Sequence, residues 1–105
     1  MISRRQEKAN SLFERLASSF FVKEKTGSLI TVTRIDSSKD LKSVKIFISI
    51  FPESKEKEIL HFLKGKAGEL QKYIGAHVKM RFLPFFEIAI DEAEKARRKI
   101  ENILK

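Results

Sequence analysis

Between residues 44 and 51 the chain alternates without a fault: Val44, Ile46, Ile48 and Ile50 fall on one face, Lys45, Phe47, Ser49 and Phe51 on the other. A period of two is the spacing of a strand with one face in a core. A strand wholly aliphatic on that face has to be central and covered, so the rest of the chain must supply a layer above it. Upstream, Ala9, Leu12, Phe13, Leu16, Ala17 and Phe20 recur at steps of three and four residues. That spacing predicts an amphipathic helix over residues 4–21, with Ser3 as its N-cap. After Lys25-Thr26-Gly27-Ser28, which reads as a turn, residues 29–35 are dense in β-branched side chains and predict a first strand. The polar residues 36–42 turn the chain back.

Downstream, Pro52-Glu53-Ser54 stops the second strand, and Ile59, Leu60, Phe62, Leu63, Ala67, Leu70, Tyr73 and Ile74 trace a helical stripe broken at Gly65 and Gly68. Gly75 is placed to end it. A third strand is expected over 78–90, where Val78, Met80 and Phe82 alternate, then Phe86, Ile88 and Ile90, with Pro84 implying an edge or a bulge. Asp91 with Glu94 has capping-box spacing and opens a last helix expected to turn Ala93, Ala96, Ile100, Ile103 and Leu104 inward. The order is helix, strand, strand, broken helix, strand, helix. Strands one and two form an antiparallel hairpin, and the helical connection to strand three predicts a parallel crossover. The expected fold class is α+β: a three-stranded mixed sheet, strand two central, with helices packed on one face.

At 105 residues the chain is sized for one core, and no repeat or linker divides it, so residues 1–105 read as one domain. Hydrophobic residues at 42% and charged residues at 34% exclude a disordered chain and imply a heavily charged surface. The longest apolar run, residues 46–51, already contains Ser49 and is far short of the roughly 18 residues of a membrane span. No secretory apolar region follows Arg4, Arg5 and Lys8, so a cytoplasmic location is expected. The absence of cysteine excludes disulfide scaffolds, thiolate nucleophiles and thiolate metal sites. Twenty-two Lys and Arg against 14 Asp and Glu give a net charge of +8, which selects an anionic partner, nucleic acid or an acidic membrane.

Two blocks carry a resemblance to a known family. One is Ile30-Thr31-Val32-Thr33-Arg34-Ile35-Asp36 with Ser38-Lys39-Asp40-Leu41. The other, more specific, is Met80-Arg81-Phe82-Leu83-Pro84-Phe85-Phe86-Glu87-Ile88-Ala89-Ile90-Asp91, in which Arg81, Pro84 and Asp91 keep the spacing. Over nearly its whole length the chain resembles the ribosome-binding factor A proteins, assembly factors of the small ribosomal subunit with a type II KH-like domain. That family has an Ala-x-Gly kink in place of the usual GxxG phosphate loop; the match here is Lys66-Ala67-Gly68, which keeps only the Gly. Val44 stands where many members have a smaller residue. The resemblance implies a monomeric, cytoplasmic factor that binds 16S rRNA in the immature 30S subunit. It also implies a part in rRNA processing and cold adaptation, with a GTPase as a candidate release partner and no membrane partner.

From the residues themselves, the candidate RNA-binding set is Arg4, Arg5 and Lys8 on the first helix, Lys64, Lys66, Gly68 and Lys72 at the broken helix, and Lys79 and Arg81 before the third strand. The middle sets are expected to come together, with a phosphate approaching the helix start at Gly68. Lys95, Arg97, Arg98 and Lys99 complement the acidic first turn of their own helix instead. Phe47, Phe51 and Phe85 could lie on the open sheet face and stack on bases, although with nine Phe in the chain core packing is the simpler use of most of them. His61 and His77 have no partner spaced for a metal, and Ser37-Ser38-Lys39-Asp40 has no spaced His to activate a nucleophile, so no cofactor, metal or enzyme is expected. Asp40 and Asp91 read as turn and cap residues. The rival readings are a generic single-stranded RNA module acting through its Phe side chains, and a basic protein-interaction domain facing an acidic partner.

Overall fold

The computed structural model describes residues 2–104. Helix α1 spans Arg4–Lys23, strand β1 Leu29–Ser37 and strand β2 Ser43–Phe51. Past a 3-10 turn at Glu53–Lys55 come α2 (Glu56–Lys64), α3 (Ala67–His77), β3 (Phe85–Ile90) and α4 (Glu92–Leu104). The sheet order is β1-β2-β3, with β1 antiparallel and β3 parallel to the central β2.

The alternation in β2 decides the layering. Val44, Ile46, Ile48 and Ile50 are all buried, and their register partners Ile30, Val32, Ile35, Phe86, Ile88 and Ile90 share that face. Over them lie Phe13, Leu16, Ala17 and Phe20 of α1, Ile59 and Leu63 of α2, and Leu70 and Ile74 of α3. Each large apolar side chain taken fully out of water contributes about 1.5–3 kcal/mol. Phe13 meets Phe86 edge to face at 5.3 Å, joining α1 to the edge strand β3. At its other end α1 is tied to α3 by the 3.0 Å hydrogen bond between the Ser19 and Tyr73 hydroxyls.

Ser3 caps α1 as expected: the Gln6 amide donates to Ser3 Oγ at 3.1 Å and the Ser3 amide donates to Gln6 Oε1 at 2.9 Å. Buried Gln6 then spends its Nε2 on the Ser37 carbonyl at 3.1 Å, which fixes the start of α1 beside the end of β1. The break between α2 and α3 falls at Gly65 and Lys66; of the two expected break points Gly65 is met, whereas Gly68 lies inside α3.

Three further expectations are corrected. Residues 78–84 are not strand; β3 begins at Phe85, after Pro84. Proline has no amide for the ladder, and the preceding segment is held by other means: Gln71 Nε2 donates to the Pro84 carbonyl at 3.0 Å and the Phe85 amide to the Lys42 carbonyl at 2.9 Å. Gly75 does not end its helix, which continues to His77. A methyl on Gly75 would sit 2.6 Å from Leu83 Cδ1, so this glycine lets the returning segment pack on α3. Finally, α4 buries none of its residues; Ile100, Ile103 and Leu104 are exposed rather than turned inward. Polar contacts hold it instead, because Asp91 caps its first turn and Lys95 Nζ reaches Glu56 Oε1 at 2.9 Å.

Candidate nucleic-acid interface

The start of α1, the β1–β2 turn and the segment 78–83 enclose a cleft of about 690 Å³. Its floor is apolar, formed by Leu12, Phe13, Leu41, Val78 and Met80, and its rim carries Arg5, Lys8, Lys42, Lys79 and Arg81 against one acid, Asp40. Segments far apart in sequence therefore deliver five cations to one opening. Among the described residues none of the five has a carboxylate within ion-pair distance, whereas Lys45, Lys66, Lys95 and Arg97 each do.

The β1–β2 turn is built for this position. Ser38 Oγ donates to Asp40 Oδ1 at 2.8 Å and accepts from the amides of Lys42 and Ser43 at 3.0 and 3.1 Å. Asp40 Oδ1 also accepts from the Lys42 amide at 3.1 Å. The Ser38 hydroxyl, first, and the Lys42 amide hold the Asp40 carboxyl below the usual carboxylate range, so the lone acid on the rim is already engaged. The same network keeps Leu41 at φ 58, a left-handed conformation that costs a non-glycine residue about 1–3 kcal/mol. The return is that Leu41 is buried in the floor while Lys42 faces the opening.

The candidate basic residues thus divide. Arg5, Lys8, Lys79 and Arg81 line the cleft, while Lys64, Lys66, Gly68 and Lys72 are not among its lining residues, so the middle sets do not merge. At the α2–α3 break no side chain caps α3, and Gly68 is its second residue, facing open space. Glu69 in that first turn pairs with Lys66 at 3.3 Å and places an acid where a phosphate would approach. Arg4 is exposed beside Arg5 but does not line the cleft. Sequence reasoning missed Lys42, which only the Ser38–Asp40 turn brings to the rim, and Phe82, which follows Arg81 and is 77% exposed at the opening. A polar turn dense in Ser, Asp and Lys beside a predicted hairpin was the available signal.

Several of the remaining cations and one aromatic have internal partners. Lys95 bridges Glu53 and Glu56; the hydrogen bond to Glu56, first, raises its affinity for the proton, and Arg97 pairs with Glu94 and Glu101. On the open sheet face Phe51 and Phe85 are exposed, but the Arg34 guanidinium covers the Phe47 ring at 3.9 Å. Thr33 is the extra residue of a bulge in β1. Its hydroxyl lies 2.7 Å from Asp91 Oδ2 and, with the Glu94 amide, holds the Asp91 carboxyl below its ordinary range. Asp91 therefore joins β1 to the cap of α4. Among the described residues no group of three or more His, Asp or Glu is arranged to hold a metal ion, and no helix is long and apolar enough to cross a membrane.

Fold and cleft together define a class, a small basic α+β domain of the KH-like type II kind. The sequence comparisons give the family: the chain belongs to the ribosome-binding factor A family, whose model matches residues 5–104. It is 36% identical over 77 residues to the ribosome-binding factor A of Bdellovibrio bacteriovorus, covering 72% of this chain and 58% of that one. The Opitutus terrae protein of the same name is 29% identical over 106 residues, covering 98% of this chain and 87% of its own. The chain thus spans less than two thirds of the Bdellovibrio relative but most of the Opitutus one. Among solved structures, the crystal structure of ribosome-binding factor A from Thermus thermophilus superposes with a TM-score of 0.66 at 23% identity, over 75% of this chain and 88% of that one. A homology model of the Thermus thermophilus factor, fitted into a cryo-EM map of a 30S complex, has a TM-score of 0.63 at 28% identity, over 74% and 86% of the two chains.

Proposed function

We propose that this chain is a non-enzymatic assembly factor that binds the immature small ribosomal subunit through the basic cleft and assists 16S rRNA maturation. The observation that carries the reading is the set of five cations, none with a carboxylate partner among the described residues, brought to one rim from three separate segments. Charge of one sign concentrated in a concave site is the footprint of a polyanion-binding surface. The family and the 30S complex of the Thermus factor support ribosomal RNA of the small subunit as that polyanion. The domain acts by occupancy: it holds a local rRNA arrangement during processing, has its greatest effect in the cold, and is displaced when maturation is complete, with a GTPase as the class of release partner. It works as a cytoplasmic monomer. Phosphate contacts supply most of the affinity, and rRNA shape supplies the selectivity.

Sedimentation with immature and mature small subunits at two salt concentrations tests this. Selective pelleting with the immature particle is expected, with log K falling against log salt by about 0.7–0.9 for each phosphate neutralised. Changing Arg5, Lys8 and Arg81 together to Glu abolishes pelleting, whereas changing Lys64 and Lys72 to Glu weakens it less. Equal pelleting of the first variant and the native chain would overturn the cleft as the interface.

A further inference from the structure

A surface that only follows a phosphate backbone needs charge alone, yet this cleft is concave and its floor is apolar. Leu12 and Met80 lie partly buried beneath the five cations of the rim. Phe82 stands at the opening, 77% exposed, with the Arg81 guanidinium 5.5 Å from its ring centre. An exposed aromatic backed by Arg is the platform on which an unstacked base stacks, and stacking of this kind tolerates any base. The volume, about 690 Å³, is in the range of sites that enclose a small molecule. The rim favours a ligand that is anionic, and the floor one that is flat and apolar in part; a nucleotide is both.

We infer that the cleft takes a single unstacked nucleotide of an RNA strand, its base against Phe82, Met80 and Leu12 and its flanking phosphates on Arg5, Lys8 and Lys79. This rests on the ribosomal reading above and sharpens it, because it makes the bound rRNA element a single strand or a bulge. Paired bases cannot enter; a duplex offers the rim only its backbone.

The test compares two labelled probes by fluorescence anisotropy with the full chain: an octamer of adenylate, and a ribose-phosphate octamer of equal charge with no bases. The base-bearing octamer is expected to bind about five- to a hundred-fold more tightly, with the same salt slope. Phe82→Ala removes that preference, bringing the two octamers to equal affinity, while Phe82→Tyr retains it. Phe82 is largely exposed, so the alanine variant keeps the native fold, which its thermal unfolding verifies. Equal binding of the two octamers by the native chain overturns the inference. So does loss of the preference on changing Phe51 and Phe85 to Ala rather than Phe82, which moves the stacking to the open sheet face. Displacement of the adenylate octamer by a Glu- and Phe-containing peptide at lower concentration than by unlabelled RNA also overturns it, in favour of an acidic protein. The ribosomal reading is read separately: equal octamer binding with selective pelleting of immature subunits removes only the nucleotide pocket, and a base preference without pelleting removes only the ribosomal assignment.

Discussion

Helices α1 and α4 carry apolar stripes of similar regularity, and the fold treats them in opposite ways. Helix α1 buries Phe13, Leu16, Ala17, Phe20 and Phe21 against the sheet, whereas α4 buries nothing and leaves Ile103 82% exposed. The first is held by area removed from water, the second by a few polar contacts at its first turns: the Asp91 cap, the Thr33 hydroxyl, and Lys95 on Glu53 and Glu56. The difference teaches that a helical period reports a face, while only the rest of the chain decides whether that face has a partner. Here α1, α2 and α3 already cover the one aliphatic side of a three-stranded sheet.

The largest expected effect tests α1. Phe13→Ala should cost about 3–5 kcal/mol in urea unfolding, since a fully buried ring leaves a cavity. Ile100→Ala on α4 should stay within about 0.5 kcal/mol of the native chain. A cost near 2 kcal/mol for Ile100→Ala would mean that α4 is packed in solution and would break the comparison.

Asp91→Asn comes next, at about 1–2 kcal/mol near neutral pH, because the amide keeps the cap but loses the charge-assisted bonds. The folded-state pKa of Asp91 is depressed, so its contribution is complete above the unfolded value of about 3.9 and is lost as pH falls through the folded one. The stability gap between native and variant should therefore be constant above pH 5 or so and close below about pH 4. A gap that persists in acid would assign the effect to geometry rather than to charge.

Lys95→Met should speed amide exchange over the length of α4 without altering that of α1, because the pair with Glu56 fastens the first turns of α4 to α2. Unchanged exchange in α4 would leave its anchoring to the Asp91 cap and the Lys99–Glu53 pair. The smallest effect is expected at Gly75→Ala. The gain in helix propensity, about 1 kcal/mol, is offset by displacement of Leu83. Unfolding should thus move by less than about 1 kcal/mol, while the methyl resonances of Leu83 and Met80 shift.

Much of the fold was legible because β2 is unambiguous and the stripes of α1, α2 and α3 match the one layer it requires. Residues 78–83 misled because alternation in so short a stretch is equally the pattern of an extended segment that buries Val78 and Met80 in part and leaves Phe82 out. The α4 stripe misled because the saturation of the core is a property of the assembled layer. Half of the cleft was legible: Arg5, Lys8, Lys79 and Arg81 follow from charge on predicted elements. Lys42 was not, since its place depends on Leu41 entering the left-handed region, which no propensity favours. The merger of the α2–α3 basic residues with Lys79 and Arg81 failed for a related reason, that helix spacing gives no direction for a connecting segment.

The sheet order has a kinetic consequence. Strands β1 and β2 are neighbours in sequence and in space, joined by a turn with its own hydrogen-bond network, whereas β3 pairs with β2 only after α2 and α3 have crossed the sheet. Closing that long loop costs chain entropy before any contact repays it. The hairpin with α1 is accordingly the expected folding nucleus, and β3, which carries Phe86 onto Phe13, the last strand to dock. Substitutions such as Ile46→Val should slow folding, and Ile88→Val should chiefly hasten unfolding. Since residues 78–83 reach the rim only when β3 is in place, the basic cleft is then among the last features of the molecule to form and the first to open.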